Sequence, residues 1–380
     1  MSANDVVLIL QIGSLGDTVV SLPCYREIAR RHPGADRHLI TNYPIGGKMV
    51  PAAAILMPTG LIAGCIEYPM PLRQIGQIIE LRRRISALKP SVLYYLLPEK
   101  RVFNLVRHHA FFRLCGVPRF HGIPWSRDKR YSREVVPGAL WESEASRLLR
   151  TIGAPSGPPT DEDRDLALSD TERAKADALL RALGRSSRFV AISVGGKVPL
   201  NNWGDGNWGV LLRDLSRSRP SLGAVFVGSD DERPRNDLLA AHWEGPRLNA
   251  CGQLAPRETA ALLARAEAFV GHDTGTLHLA AAVDTPIVGI FGARNKPGIW
   301  FSDRVRDTFF YNHVACAGCE LIQVEACPHD RICMTTHDPA RIVAAVHRAL
   351  TMRDLAHGEG RNGSERLGFD TSGGACGGRI

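Results

Sequence analysis

The sequence predicts an α/β protein with two Rossmann-like domains that face each other across a cleft. Short apolar segments alternate with amphipathic ones, which favours parallel sheets whose strands are joined by helices. The alternation is interrupted at residues 154–164, which contain three prolines and are typical of a linker. The chain has 380 residues, of which 44% are hydrophobic, and this suffices for two cores.

The domain limits follow from the same pattern. The predicted N-terminal domain comprises residues 1–165, and the predicted C-terminal domain comprises residues 166–337. Asp338 and Pro339 suit the N-cap and first position of a C-terminal helix at 338–352. Residues 353–380 are rich in glycine and poor in apolar side chains, so we expect a disordered tail there.

Hydrophobic periodicity gives the individual elements. The first half opens as strand, glycine turn, helix and strand. Its predicted strands are 6–12, 37–41 and 92–97, and its predicted helices are 18–31, 72–88, 102–115 and 139–152. The second half has predicted strands at 189–194, 222–228, 266–271 and 287–291, and predicted helices at 169–183, 208–217, 256–266 and 277–283. Residues 45–61 give no clear pattern.

Residues 269–292 organise the second half, because they form a strand, a polar turn, a helix and a strand. A helix that starts directly after a strand presents free N–H groups and the positive end of its dipole, which together bind anions. Gly275 would let the backbone approach a phosphate, and Thr274 and Thr276 add hydroxyl donors. The same turn equally fits an ordinary N-cap made by Asp273 or Thr274.

The charge of the chain is unevenly distributed. Residues 1–150 hold 21 Lys/Arg and 11 Asp/Glu, a net charge of +10, whereas residues 151–380 hold 26 and 28, a net charge of −2. An anionic partner is therefore expected at the N-terminal half. An anionic lipid surface and a phosphorylated glycan are the favoured candidates, and nucleic acid ranks last because no nucleic-acid module accompanies the charge. A merely solvated basic surface is the alternative.

The sequence also predicts a cytoplasmic location. No apolar run approaches the roughly 18 residues that span a bilayer. The first residues contain Asp5 and lack the basic start of a signal peptide.

Two separated motifs resemble those of the family-9 glycosyltransferases, the heptosyltransferases of bacterial surface-glycan assembly. One motif is DTGTLHLAAA at 273–282, and the other is GSLGD at 13–17. The resemblance spans residues 6–350. It implies the two-domain GT-B fold, with the nucleotide-sugar donor on the C-terminal domain and the acceptor on the N-terminal domain.

The resemblance also implies an activity. Family members transfer a sugar with inversion, here heptose from ADP-heptose, to a surface-glycan acceptor such as lipopolysaccharide core. The implied partners are thus a nucleotide-diphosphate sugar and an anionic glycan or glycolipid, and peripheral contact with the inner membrane is left open. Inversion in one step requires a general base, and Asp17, on a glycine turn that opens a helix, is expected to face the cleft and accept the proton. Asp17 would otherwise only cap its helix.

The residues expected at the donor share a position on the two motifs or on the loop after strand 189–194. They are Gly16, Lys197, Asp273, Thr274, Gly275, Thr276 and His278. Lys197 can neutralise a phosphate as a point charge, and it equally fits a surface lysine. Many family members carry a basic residue directly before the next tryptophan, where this chain has Asn202, so we expect the phosphate-facing charge on Lys197 alone. His278 would contact phosphate or pack in the first helical turn.

A catalytic metal is not expected, because no Asp-x-Asp motif follows a strand. A structural metal is expected elsewhere, at Cys316, Cys319, Cys327 and Cys333, which are spaced C-x2-C-x7-C-x5-C. In a reducing cytosol four clustered cysteines favour tetrahedral zinc or an iron centre over disulfides. Four free thiols are the alternative. Some family members have similar clusters and others lack them.

Two further functions fit the same architecture. One is a nucleotide-sugar epimerase, and the other is a protein that binds a nucleotide sugar without turnover. A catalytic carboxylate at Asp17 argues against the second, because a binding module does not need one there.

Overall fold

Two parallel β-sheets form the framework of the protein. The computed structural model describes residues 5–42, 50–69, 74–155, 159–184, 188–304 and 306–362. The strands of the first sheet are β1 (Val6–Leu10), β2 (Asp36–Thr41), β3 (Gly64–Glu67), β4 (Val92–Tyr95) and β5 (Phe120–His121). Those of the second are β8 (Phe189–Ser193), β9 (Gly223–Phe226), β10 (Arg247–Asn249), β11 (Ala268–His272), β12 (Ile287–Phe291) and β13 (Thr308–Tyr311).

The strand orders are those of doubly wound sheets. They are β3-β2-β1-β4-β5 in the first sheet and β10-β9-β8-β11-β12-β13 in the second. All pairings within these two sheets are parallel. Strands β6 (Glu134–Val136) and β7 (Leu140–Trp141) form a separate antiparallel pair. Two parallel sheets with helical crossovers confirm the predicted fold class.

Helices cover both faces of each sheet. In the first half they are α1 (Leu15–Val20), α2 (Leu22–Arg31), α3 (Ala52–Leu56), α4 (Ile75–Ala87), α5 (Val102–Leu114), α6 (Arg127–Arg130), α7 (Glu144–Thr151) and α8 (Asp161–Arg164). In the second half they are α9 (Asp170–Leu180), α10 (Asp205–Ser218), α11 (Arg233–Ala240), α12 (Pro256–Leu263), α13 (Gly275–Ala282), α14 (Ile332–Thr335) and α15 (Pro339–Asn362). Because helices cover both faces of each sheet, the side chains on both sides of a central strand are buried. The central strands are therefore apolar throughout, as in VVLIL of β1.

One apolar cluster joins the two halves of the molecule. It runs from helices α1 to α3 on the first sheet to helices α12 and α13 on the second. Polar contacts reinforce this boundary: Lys100 pairs with Glu320, and the Arg304 guanidinium lies 2.9 Å from the Asp161 carboxylate. The chain limits proposed for the two domains stay a prediction.

The structure divides the helix predicted at 18–31 into α1 and α2, and α1 begins earlier, at Leu15. Pro23 lies in the first turn of α2, where its missing N–H removes no helical bond. The earlier start places Asp17 inside the first turn of α1, where it caps the helix. The base candidate therefore lies on a helix and not on the turn before it.

The observed limits of two other elements differ from the predicted ones. The helix predicted at 139–152 begins at Glu144, because the Ser143 side chain caps it and the preceding residues form β7. The C-terminal helix continues to Asn362, which corrects the predicted tail at 353–380 for its first ten residues. The rest of that tail, from 363, lies outside the described residues. Across the described part of the chain, no helix combines the length and the apolar character that crossing a bilayer requires.

Candidate active site

The predicted motifs lie where each sheet reverses its strand order. That reversal occurs between β1 and β4 in the first sheet and between β8 and β11 in the second. In open α/β sheets the crevice at the carboxyl ends of such strands binds ligands. The 13–17 motif follows β1, Lys197 follows β8 and the 273–278 turn follows β11. All three segments therefore lie at the edge where open sheets of this kind bind ligands.

Contacts between α1 and α13 join the two motifs. A Cβ built on Gly275 would lie 2.9 Å from the Leu15 Cδ2 atom, and one built on Gly16 would lie 2.9 Å from the His278 Cδ2 atom. Glycine at both positions thus permits the close approach of the two helices. The helix that carries the base candidate therefore touches the helix that starts with the anion-binding candidate, although the two are far apart in sequence.

The N-terminus of α13 has unsatisfied donors. Thr274 is its N-cap residue, yet no side chain caps the helix. The N–H groups of Gly275 and Thr276 have no hydrogen-bond partner among the described residues. The ordinary N-cap alternative is therefore not realised by Asp273 or Thr274, and the helix can present these donors to an anion.

Hydroxyl groups connect this turn to the end of β8. The Thr274 and Thr276 Oγ1 atoms are 2.7 Å apart, and Thr276 donates to the Ser193 Oγ atom at 2.8 Å. A Cβ on Gly196 would lie 3.3 Å from the Thr274 Cγ2 atom, so the two loops are in contact. The exposed Lys197 directly follows Gly196 on this loop, and it has no hydrogen bond or ion pair with a described residue.

His272 holds the β8 loop in place and was not among the predicted site residues. Its Nδ1 atom lies 3.3 Å from the Gly195 carbonyl oxygen, and its Nε2 atom accepts from the Trp203 N–H at 3.3 Å. Burial lowers the pKa of the His272 ring to about 4, so the ring is neutral near pH 7. A neutral ring fits both bonds, because one nitrogen donates and the other accepts.

Asp17 makes the capping contact that the sequence left as an alternative. Its Oδ2 atom accepts from the Ser14 N–H at 2.6 Å and from the Ser14 hydroxyl at 2.8 Å. Its Oδ1 atom has no hydrogen bond with any described residue. The side chain is half-buried. Capping thus occupies one carboxylate oxygen and leaves the other available.

His278 is buried between the two halves. Its Nε2 atom lies 3.6 Å from the Asp273 Oδ1 atom, and its ring centre lies 6.0 Å from that of Trp300. Together with the approach of Gly16, these contacts give His278 a packing role. They also fix the Asp273 carboxylate beside the first turn of α13.

Three other polar side chains lie at this edge and were not predicted from the sequence, namely Glu232, Arg235 and Arg331. The Glu232 carboxylate occupies the space that a Cβ would need at Gly195 and at Gly228, at the ends of β8 and β9. The acidic run GSDDE at a strand end was the available signal for Glu232. Two arginines converge on Asn202: Arg331 donates to its carbonyl oxygen at 3.0 Å, and Arg235 donates to its side-chain oxygen at 2.9 Å.

Arg235 and Arg331 therefore lie near the loop that carries Lys197, and Lys197 as the one phosphate-facing charge stays a prediction. Arg235 also pairs with Asp205, which neutralises its charge locally. Arg331 has no carboxylate partner among the described residues, so its charge remains beside Asn202. No sequence signal identifies Arg331, because 129 residues separate it from Asn202.

The four-cysteine site is not formed by the side chains as they stand. Cys316, Cys319, Cys327 and Cys333 all have free thiols. Burial raises the pKa of the Cys333 thiol, and the other three thiols raise it further. Yet the described residues contain no group of three or more Cys, His, Asp or Glu side chains arranged to hold a metal.

Comparison with known proteins decides the family. The family model described as "Glycosyltransferase family 9 (heptosyltransferase)" matches residues 117–322, more than half of the chain. The chain belongs to glycosyltransferase family 9. It is 26% identical to lipopolysaccharide heptosyltransferase 1 of Pseudomonas aeruginosa over 370 residues, which cover 90% of this chain and 98% of that protein.

Solved structures of family-9 enzymes share the fold. The family-9 glycosyltransferase of Veillonella parvula has a TM-score of 0.71 at 14% identity, covering 93% of this chain and 99% of that one. ADP-heptose lipopolysaccharide heptosyltransferase II of Escherichia coli has a TM-score of 0.64 at 16% identity, with 92% and 99% covered. The iron-containing dodecameric glycosyltransferase TibC of enterotoxigenic E. coli has a TM-score of 0.52 at 15% identity, with 93% and 78% covered. The likeness confirms the GT-B-like fold, and family membership identifies the chain as a glycosyltransferase.

Proposed function

We propose that this glycosyltransferase transfers heptose from ADP-heptose, with inversion, to an anionic glycan acceptor such as lipopolysaccharide core. The observation that carries the proposal is the contact of the 13–17 motif with the start of α13, through Leu15 on Gly275 and Gly16 on His278. The names of the relatives support heptose as the sugar and ADP as the nucleotide.

The donor diphosphate would lie at the N-terminus of α13. The unpartnered N–H groups of Gly275 and Thr276 and the positive helix end would bind its oxygens. The Thr274 hydroxyl would join them by turning its proton from the Thr276 oxygen to the phosphate. Lys197, which is exposed and unpaired among the described residues, would add a positive charge. Glu232, beside Gly195 and Gly228, would accept hydrogen bonds from ribose hydroxyls, as acidic residues do at strand ends of other nucleotide-binding sheets.

The chemical step would be a single displacement. The Asp17 Oδ1 atom accepts the proton of the acceptor hydroxyl while that oxygen forms a bond to the anomeric carbon. The bond between the anomeric carbon and the diphosphate oxygen breaks on the opposite face, and ADP leaves with the electron pair. Backbone N–H groups and Lys197 stabilise the charge that develops on the leaving diphosphate. Positive groups at the phosphates perform this role, so we propose that catalysis needs no metal.

The domain roles follow from this placement. Residues 166–337 would hold the donor, and residues 1–165, with their excess of positive charge, would hold the anionic acceptor. A glycolipid acceptor would bring the protein to the inner-membrane surface from the cytoplasmic side.

Incubating the protein with ADP-heptose, with and without heptose-free lipopolysaccharide, tests the function. Release of ADP only when the acceptor is present is the expected result. Conversion of the donor alone would indicate an epimerase, and binding without either reaction would indicate a binding protein. Activity that is lost on chelation without unfolding would contradict the metal-free step.

A thermal-shift screen tests the donor. A ligand that binds only the folded state raises the melting temperature as RT ln(1 + [L]/Kd). We expect ADP and ADP-heptose to raise it more than UDP, GDP and their sugars at equal concentration. A larger shift with UDP or GDP would refute the ADP assignment and leave the transferase assignment intact.

A further inference from the structure

The outer face of α5 is unusually apolar for a surface helix. Phe103 is 75% exposed, Leu114 68%, Val106 52% and Val102 48%. Phe103, Val106 and Leu114 recur at helical spacing and so share one side of the helix. The opposite side is apolar as well, and it packs on the first sheet through Leu105 and Phe112. A surface helix normally turns polar residues outward, so this outer face is suited to a partner.

Aromatic residues extend this face. The Trp125 ring centre lies 5.6 Å from that of His109 on α5, and Trp125 is 47% exposed. Tyr131 is 46% exposed, and the Lys100 ammonium lies 5.9 Å from its ring centre. Tryptophan and tyrosine favour the boundary between apolar and aqueous phases, because each ring has an apolar body and a polar group. We call Val102, Phe103, Val106, Leu114 and Trp125 the α5 surface.

Arginines flank the α5 surface. The exposed ones on α5 and on the neighbouring α4 are Arg107, Arg113, Arg82, Arg83 and Arg84. Arg82 connects the two helices, because its Nε atom donates to the Leu114 carbonyl oxygen at 3.1 Å. Arg83 pairs with Glu80 on the same helix, whereas Arg107 has no ion pair or hydrogen bond with a described residue. The face therefore combines exposed apolar area with positive charge that is only partly neutralised.

The α5 surface lies beside the mouth between the two sheets. Helix α5 follows the carboxyl end of β4, at the reversal point of the first sheet. Lys100, two residues before α5, forms an ion pair with Glu320 across the boundary. Phe103 is thus at the end of the helix that is nearest the proposed active site.

We propose that the α5 surface docks this protein on an anionic lipid bilayer. Phe103, Val106 and Trp125 enter the interfacial layer, and the flanking arginines bind lipid phosphates. Docking would bring the active site to a lipid-linked acceptor in the bilayer. This purpose rests on the proposed function. A second copy is the weaker occupant, since a two-fold contact through this face would bring like-charged arginines together.

Vesicle co-sedimentation of the full chain tests the docking. We expect binding to phosphatidylglycerol vesicles but not to phosphatidylcholine vesicles, and weaker binding as salt rises. The Phe103→Ser, Val106→Ser double variant should lower the partition coefficient at least about tenfold. Arg107→Gln should also weaken binding to phosphatidylglycerol vesicles, because it removes one positive charge that flanks the α5 surface.

Matched controls lie on the second half of the molecule. Leu238 on α11 is 75% exposed, like Phe103. Leu238→Ser therefore removes an equally exposed apolar side chain from another face, and this variant should bind vesicles as the wild type does. Arg181→Gln is the corresponding charge control, because Arg181 is exposed as Arg107 is. Equal losses in these controls and in the α5 variants would overturn the assignment to α5.

A second measurement keeps the proposal testable if the double variant misfolds. Brominated acyl chains in phosphatidylglycerol vesicles should quench part of the tryptophan emission, and that part should disappear in Trp125→Phe. Unchanged quenching in Trp125→Phe would overturn the proposal. A dimer would also overturn it. In that case sedimentation velocity would show a concentration-dependent dimer of the wild type that the α5 variants dissociate, and the wild type would not bind vesicles. Because none of these assays uses sugar donor or acceptor, a failed transferase assay leaves their outcome interpretable.

Discussion

Leu15 on α1 lies directly against Gly275 at the start of α13, and a Cβ on Gly275 would approach its Cδ2 atom to 2.9 Å. The Leu15 Cγ and Cβ atoms are nearly as close, at 3.0 and 3.1 Å. A larger residue at 275 therefore cannot be accommodated by rotating the end of one side chain. The contact joins the two sequence motifs, and substitutions on either side of it should affect the same function.

Gly275→Val should weaken ADP binding at least about tenfold, because the added atoms separate α1 from α13 and cover the donors of the helix end. Isothermal titration with ADP measures the effect. Gly206→Val is the matched control: Gly206 also lies in the first turn of a helix, but a Cβ there would meet nothing within 4 Å. Unchanged ADP affinity in folded Gly275→Val would contradict the proposed phosphate site.

Asp17→Asn should lower kcat at least about a hundredfold while ADP binding persists, because an amide cannot accept the acceptor proton. The amide oxygen can still accept from Ser14, so the cap survives in part. Asp163→Asn is the control, because Asp163 caps α8 through Thr160 with the same geometry away from the site. Near-normal turnover of Asp17→Asn would leave Asp17 with capping alone.

Lys197→Gln should weaken ADP binding about tenfold to a hundredfold, in keeping with the loss of one charged hydrogen bond to phosphate. The melting temperature without ligand should not change, because Lys197 is exposed and has no partner among the described residues. Lys197→Arg should restore part of the affinity. An equal effect on adenosine, which has no phosphate, would exclude the phosphate role.

His272 should make the protein less stable in mild acid. Its folded pKa of about 4 lies below the usual value of about 6.5, so the unfolded chain takes up a proton first as pH falls. Stability is therefore intact above about pH 6.5 and is lost progressively towards pH 4, by about 3 kcal/mol from this group. Urea unfolding of wild type and His272→Asn between pH 7 and 4 should show a smaller loss in the variant. Parallel pH profiles would refute this origin of the acid sensitivity.

The cysteine segment should affect stability and not the chemical step. If Cys316, Cys319, Cys327 and Cys333 bind zinc or iron, purified protein should contain about one metal per chain, and the Cys316→Ser and Cys319→Ser variants should contain less. The melting temperature of these variants should fall, whereas kcat at a permissive temperature should stay within a few-fold of wild type. Metal content far below one in all three proteins would leave four free thiols as the correct interpretation.

Periodicity was sufficient for the long elements of the fold but not for its short ones. Strand β1 and helix α4 occur where the apolar pattern predicts them, because burial on a sheet imposes that pattern locally. Strands β5 and β10 have two and three residues and were not predicted. Such strands carry too few residues for a pattern and are held by pairing to their neighbours.

The sequence by itself determined the fold class and the family resemblance, because apolar periodicity and short motifs are local features of the chain. It also predicted most residues of the candidate site, because glycine and threonine just after a strand suit a turn that binds an anion. Only the tertiary structure decided that Asp17 caps α1 through one oxygen, and that the two motifs touch. Only it showed that Arg331 lies beside Asn202. The physical reason is that these relationships depend on how two separately formed sheets pack, and packing joins residues whose separation along the chain carries no periodic signal.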